Sequence, residues 1–329
     1  MGESDERRIR FGRTVILLLA WLCFVVAIVG LTARFAPVVI HAELIAAALS
    51  PYLMLAAGVA FGLLWHIGDK RWAALALTPL VVGIWVKVPT YLEDSHPGGN
   101  TFPIRVLTVN LYDGTADPAS VAAAALEHAD VLLVQELTPQ QSAGILGQPG
   151  FAAEFGYTAL FPHTHAAGVG ILSRFPIVQN SRITRYRLGA VTATIRPPGA
   201  ASDAVVASVH IMGPWPQPID LWREEMAALP HTLDELTKAA GPGAAIVGGD
   251  FNATEDFAPF RRLLDTGFAD AVQQAGGGLS PTYPAESLVP PIIGIDHILT
   301  YNGWASETAR VPITGTDHLG LAATIHVPA

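Results

Sequence analysis

Three long stretches without a formal charge dominate the first third of the chain. Thr14 to Ala33 contains no Asp, Glu, Lys or Arg, and neither does Leu44 to Gly68. Trp72 to Val86 is a third such stretch, closed by Lys87 and continued by apolar residues to Leu92. An α-helix needs about 20 apolar residues to cross a bilayer's hydrocarbon core. The first two runs meet that length outright. The third meets it if the long Lys87 stem carries its ammonium to the interface. Three transmembrane helices are therefore predicted over residues 1–92.

Arg7, Arg8, Arg10 and Arg13 precede the first run, as they would in a cleaved signal peptide. The run is longer than a signal's apolar region and two more follow it, so a retained anchor is the better reading. Basic residues also set a direction. Lys70 and Arg71 separate the second and third runs, whereas Arg34 between the first and second is opposed by Glu43. The positive-inside rule then puts the N-terminus and the second loop in the cytoplasm. Everything after Leu92 is expected outside, on a multi-pass protein of the plasma membrane. The single cysteine, Cys23, falls inside the first run. The exported part thus has no disulfide and no thiolate zinc site.

Glu93 to Thr101 (EDSHPGGNT) is polar, with a proline and a glycine pair, and reads as a linker. Residues 102–329 suffice for one sizeable α/β domain. After residue 97 there are 11 Lys and Arg against 21 Asp and Glu, a balance near −10. Proteins that grip long DNA usually carry a basic footprint, so no stable nucleic-acid partner is expected.

Apolar runs rich in β-branched residues recur through this part: Ile104–Val109, Val131–Gln135, Val169–Leu172, Val191–Ile195, Ala204–Val209, Ala244–Val247, Ile295–Thr300 and Leu321–Val327. Asp117-Pro118 offers an N-cap and a first-turn proline for a helix over Ala119–His128. Ile219–Ala239 is amphipathic, and Pro230 should kink it or start a second helix. Phe257–Leu264 is a short third helix. Many strands with few helices predict packed sheets with helices outside.

Polar residues close these apolar runs. Asn110 ends RVLTVN, Glu136 ends VLLVQE, and His210 ends VVASVH. Asp250 and Asn252 follow in AAIVGGDFN, Asp296 and His297 lie in IGIDHIL, and Asp317 and His318 lie in GTDHLG. Strands sharing sheets would bring such ends to one rim. A rim of carboxylates, amides and imidazoles suits hard divalent cations and phosphoryl chemistry. No G-x-S-x-G, P-loop or H-E-x-x-H pattern is present.

The order TVN, QE, GVGILSRFPI, SVH, GGDFN, IDHIL, TDHLG, over residues 105–325, resembles the endonuclease/exonuclease/phosphatase superfamily. That superfamily holds DNase I-like nucleases, inositol polyphosphate phosphatases and bacterial sphingomyelinases. The resemblance implies a two-sheet α/β sandwich with its site at one sheet edge, and dependence on Mg²⁺ or Mn²⁺. Glu136 then stands where the family's main metal-binding glutamate falls, and Asn110 and Asp317 complete the expected metal set. Asp250 and Asn252 fit activation and placement of an attacking water. His318 fits stabilisation of the transition state or proton transfer, with Asp296 orienting it. His210 matches the histidine that contacts a phosphoryl oxygen. His297, next to Asp296 in a strand, faces the other way and is assigned to the core. His163 and His165 (FPHTH) are read as a surface loop near the site. Arg174 is read evenly as a phosphate clamp or a solvated turn residue.

With three spans, the segment H-x-x-x-P from His210 to Pro214 is similar to that of bacterial membrane-bound members linked to glycopeptide-antibiotic resistance. That resemblance implies hydrolysis of a phosphoester or phosphoanhydride at the outer membrane face, on a phosphorylated and lipid-linked substrate. An exported nuclease and a catalytically inactive binding module are the competing readings.

Overall fold

The computed structural model describes residues 3–95 and 98–329, so His96 and Pro97 of the expected linker lie outside the described residues. The chain divides into two units. One runs to Val88 and takes in Asp256–Ala258; the other comprises Pro89–Glu255 and Pro259–Ala329.

The first unit is helical. Glu3–Phe35 is one continuous helix of 33 residues. The second apolar run is broken: His41–Ala48 and Ser50–His66 meet at 67°. Pro51 explains the break, because it has no N–H to give to Ala47 and its ring disfavours helical backbone before it. The third run, Lys70–Tyr91, passes Pro79 without such a bend. There the Thr78 hydroxyl donates to the Leu75 carbonyl that Pro79 leaves without its N–H partner. Two helices are thus long and apolar enough to cross a membrane, or three if the bent pair is one span. Ala20, Ala27, Ala57, Ala60, Ala73 and Ala76 are buried between these helices, while Leu18, Leu22 and Trp85 are exposed. Small residues inside and large apolar residues outside is the pattern of helices that pack in lipid. Lys87 departs from its expected snorkelling. It is buried, and its Nζ donates to Asp256 Oδ2 at 2.8 Å within the same unit. A paired carboxylate offsets the cost of desolvating the ammonium.

The second unit stacks two six-stranded sheets. In chain order the strands are β1 (Thr101–Asn110), β2 (Val131–Gln135), β3 (Tyr157–Phe161), β4 (Val169–Ser173), β5 (Ile177–Ile183), β6 (Ala190–Ile195), β7 (Ala204–His210), β8 (Ala245–Asp250), β9 (Ala269–Asp270), β10 (Asp296–Tyr301), β11 (Trp304–Val311) and β12 (Gly320–Pro328). One sheet has the order β11-β12-β1-β2-β4-β3 and the other β5-β6-β7-β8-β10-β9. Each sheet holds one parallel pair, β1 with β2 and β7 with β8, among antiparallel neighbours. Parallel neighbours need a crossover, and helices supply both: Pro118–His128 and Ile219–Ala240. Asp117 caps the first, accepting from the N–H groups of Ala119 and Ser120. The second is continuous through Pro230.

The inner faces of the sheets form the main core, with Val106, Leu133, Ile171, Val206, Ile246 and Ile298 among its buried residues. One polar seam crosses it. Gln135 Nε2 donates to Ser208 Oγ at 3.0 Å and to Thr108 Oγ1 at 3.1 Å, and Ser208 Oγ donates to the Val134 carbonyl at 3.0 Å. All three side chains are fully buried. Buried polar groups of this kind fix one relative position of two surfaces that apolar contact alone would leave free to slide.

Candidate active site

The parallel pairs place the chemistry. Strands of one pair point the same way, so their C-terminal ends share an edge. Asn110 pairs with Gln135, the residue before Glu136, and His210 pairs directly with Asp250. β10 and β12 run antiparallel to these strands and start at that same edge. Asp296 opposes Asp250, and Asp317-His318 lead into β12. The double glycine before Asp250 permits the close approach. A side chain at Gly249, whose φ is 156°, would strike the Val209 carbonyl.

Asn110 lies at the centre. Its Nδ2 donates to Glu136 Oε1 at 3.1 Å and to Asp250 Oδ2 at 3.0 Å, while its Oδ1 accepts from the Tyr112 N–H at 2.9 Å. The amide therefore shows its donors, not its carbonyl, to the carboxylates. Its expected use as an oxygen ligand requires the amide to turn over. Glu136 has a left-handed backbone, φ 57°, and its Oε2 accepts from the Asp113 N–H. Such a conformation costs about 1–3 kcal/mol for a residue of this type. It turns the carboxylate off the end of β2 and into the rim. His210 donates from Nδ1 to the Ala166 carbonyl at 3.2 Å. That leaves Nε2 facing Asp250 Oδ2 at 3.6 Å and Glu136 Oε1 at 3.8 Å. Asn252 gives its backbone N–H to Asp250 Oδ1 at 2.7 Å and its Nδ2 to the Ile211 carbonyl at 2.9 Å.

His318 and Asp296 form a buried pair, with Nδ1 at 2.9 Å from Asp296 Oδ2. The other nitrogen, Nε2, faces Asp250 Oδ2 at 3.9 Å and Asp317 Oδ1 at 3.8 Å. Burial works against the imidazolium, but the Asp296 charge and hydrogen bond outweigh it and raise the pKa to about 10. Burial pushes Asp250 up to about 6, a rise that the neighbouring His318 limits. Burial also raises Asp317, again opposed by His318.

Among the described residues, Asp250, Asp296 and His318 form a group whose ligand atoms lie within 4.8 Å of one another, close enough to hold a metal ion. His318 is protonated at neutral pH and bound to Asp296, so the carboxylates are the better donors. Asp296 Oδ1 and Asp317 Oδ1 are buried acceptors without a hydrogen-bond partner among the described residues. Buried orphan acceptors are costly, and a cation would satisfy them.

A family model described as the endonuclease/exonuclease/phosphatase family matches residues 107–318, from within β1 to His318. The chain belongs to that family. Solved structures show the same fold. An endonuclease/exonuclease/phosphatase from Bacteroides vulgatus is 15% identical, with a TM-score of 0.55, covering 69% of this chain and 99% of that one. D. rerio TDP2 complexed with single strand DNA product is 16% identical, with a TM-score of 0.54, covering 68% and 98%. SmcL is 15% identical, with a TM-score of 0.52, covering 70% and 99%. No curated protein matches the chain by sequence.

The family fold thus brings Asn110, Glu136, His210, Asp250, Asn252, Asp296, Asp317 and His318 to one edge. It leaves other candidates apart. His297 is buried, with Nδ1 against Asp270 Oδ2 at 2.8 Å and Nε2 against the Ala253 carbonyl at 2.9 Å. His165 is exposed, 3.5 Å from Asp113. Arg174 follows β4, which is antiparallel to β2, and so lies at the opposite end of the sheet. There it pairs with Glu154 and donates to the carbonyls of Ala129 and Leu126. A phosphate at the rim is out of its reach.

Three contributors carried no strand-end signal. Thr282 donates from Oγ1 to Asp296 Oδ2 at 2.5 Å, sharing that oxygen with His318. Tyr283 packs its ring on His318, with centroids 5.1 Å apart. Thr316 donates to the Asn110 carbonyl and accepts from the His318 N–H, tying the last segment to β1.

Proposed function

We propose that this protein is a membrane-anchored, Mg²⁺- or Mn²⁺-dependent phosphoesterase that hydrolyses phosphorylated lipid at the outer membrane face. The observation that carries the reading is the meeting of both parallel strand pairs at one edge, where acid, amide and imidazole groups surround a buried Asp296–His318 pair. Glu136 and Asp317, with Asn110 once its amide is turned, would hold the cation. An all-oxygen set suits Mg²⁺ or Mn²⁺, which when bound neutralises phosphoryl charge.

The remaining roles belong to side chains. Asp250, with a pKa near 6, is poised to take a proton from a water that attacks phosphorus. Asn252 borders that position. The His210 Nε2 and the protonated His318 Nε2 face the same space. His318 can donate from Nε2 to a phosphoryl oxygen as charge builds there, whereas His210, whose Nδ1 proton is given to the Ala166 carbonyl, can do so only as an imidazolium. Asp296 holds His318 charged and aimed.

The lipid reading draws on the apolar helices and on the segment after His210, where Trp215 is exposed. The arginines before the first helix and Lys70-Arg71 support a cytoplasmic N-terminus with the catalytic unit outside. A C-terminal reporter that works only in the cytoplasm would overturn that topology.

Hydrolysis by purified full-length protein tests the activity, read as phosphate release from polyprenyl pyrophosphate and inositol phosphates, phosphocholine release from sphingomyelin and nicking of plasmid DNA. Turnover of a lipid, lost in Glu136→Ala and His318→Ala, is the expected result. Cleavage of DNA alone would make the protein an exported nuclease. Metal binding with no turnover of any substrate would make it a binding module.

A further inference from the structure

The 279–292 excursion between the helix Ala271–Gln274 and β10 brings Thr282 and Tyr283 to the site from its base, whereas its tip has no role in the chemistry above. Tyr283 and Ile293 bridge across its neck, and the Ile292 N–H donates to the Tyr283 carbonyl at 3.0 Å. The Ala285 N–H donates to the Asp317 carbonyl at 2.6 Å, and the Leu319 N–H to the Thr282 carbonyl at 2.8 Å. The Gly315 N–H donates to Glu286 Oε2 at 3.0 Å. The tip is apolar and open: Leu288 is fully exposed, and Val289 and Ile292 are exposed beside it. Pro284, Pro290 and Pro291 restrict it, and Glu286 is its one charge.

A second observation concerns the chain beside the base of the excursion. The residues that leave the last apolar helix dock on residues 274–278, just before this excursion. The Gly278 N–H donates to the Thr90 carbonyl at 2.8 Å, Glu93 bridges Ala275, and the Asp94 N–H donates to the Gln274 carbonyl at 2.9 Å. Tyr91 and Leu92 of this strap are themselves exposed, as is Leu279 next to it. Chain emerging from the last apolar helix is therefore held at Gly278, four residues before Thr282 and five before Tyr283.

We infer that Tyr91, Leu92, Leu279 and the Leu288–Ile292 tip form one interfacial surface that rests in the lipid headgroup and upper acyl region beside the active site. Exposed apolar side chains with so little charge are favoured there over water. The inference rests on the membrane-anchored reading and not on the reaction. The surface would admit a substrate whose phosphate stands at the headgroup level while its apolar part stays in the bilayer.

The test uses full-length Cys23→Ala protein in phosphatidylcholine/phosphatidylglycerol nanodiscs. A polarity-sensitive fluorophore is attached at Leu288→Cys, and lipids spin-labelled near the headgroup serve as quenchers. Probes at Leu22→Cys, on the first helix, and at Asn180→Cys, on the far edge strand β5, are the references. The expected result is a blue-shifted Leu288 probe quenched by the lipids, while the Asn180 probe is neither. A Leu288 probe that behaves like Asn180 overturns the inference and leaves the anchor standing. A shifted but unquenched probe means that another copy of the chain covers the tip, which also overturns it. A Leu22 probe with no blue shift removes the anchor itself, and the interfacial surface with it.

Discussion

His318 stays charged because Asp296 shares its cavity, and Asp250 is hard to ionise because burial and Asp296 both oppose its charge. With Asp250 as base and His318 as cation, kcat/KM should rise as pH passes about 6 and fall as it passes about 10. Asp296→Asn removes the charge that raises both groups, so both limbs should move to lower pH, with kcat falling about 10²–10⁴-fold if proton transfer and orientation fail together. A pH profile that keeps its alkaline limb in this variant would refute the assignment. Stability follows the same sign. A histidine whose pKa is raised on folding stabilises the fold fully below its unfolded value of 6.5 and loses that contribution as pH climbs through about 10. Thermal melts of His318→Gln should lack that alkaline decline. The residues of this site were legible where a polar group interrupts an apolar run, as at Asn110, Glu136 and His210. Thr282 and Tyr283 sit in a proline-rich loop with no periodicity, and nothing local separates them from ordinary turn residues. Arg174 stayed undecided because a sequence does not show which end of a sheet a strand end will occupy.

Among the elements, the eight inner strands could be read from their apolar runs, and the four edge strands β3, β5, β9 and β11 could not. An edge strand faces water along one side and carries polar residues that blunt further pairing. β5, with the sequence IVQNSRI, is exposed at its five middle residues. The second apolar run was read as one span, and Pro51 bends it. The contact between the sheets is equally specific. A side chain at Gly248 would meet Leu133 Cδ1 at 2.6 Å and Thr108 Cβ at 3.5 Å. Gly248→Val should therefore destabilise the catalytic unit by about 1–3 kcal/mol through overpacking, read as a lower unfolding midpoint in detergent. Ser208→Ala leaves the Gln135 amide without one acceptor and should cost about 1–3 kcal/mol in the same assay. An unchanged midpoint would mean that the seam contributes nothing to holding the sheets in register.

For the whole molecule, the acidic balance after residue 97 and the apolar helices before it favour a substrate held by lipid over a long polyanion. Chelation should abolish turnover, and Mg²⁺ or Mn²⁺ should restore it in the wild type but not in Glu136→Ala. Full activity after chelation would remove the metal from the reaction. Fold class and the long apolar helices were legible because both depend on patterns longer than any loop, whereas substrate choice depends on loops whose positions only the folded chain reveals.

β1 takes β12 as its partner, with Thr101 opposite Pro328, and His318 comes just before that last strand. A ribosome makes the two halves of this pairing far apart in time. On the proposed topology the chain crosses the membrane as an unfolded thread, and β1 waits on the far side until β12 follows. No working centre can then assemble in the cytoplasm, so the activity proposed here stays silent beside the cell's own phosphorylated metabolites until β12 has crossed to join β1.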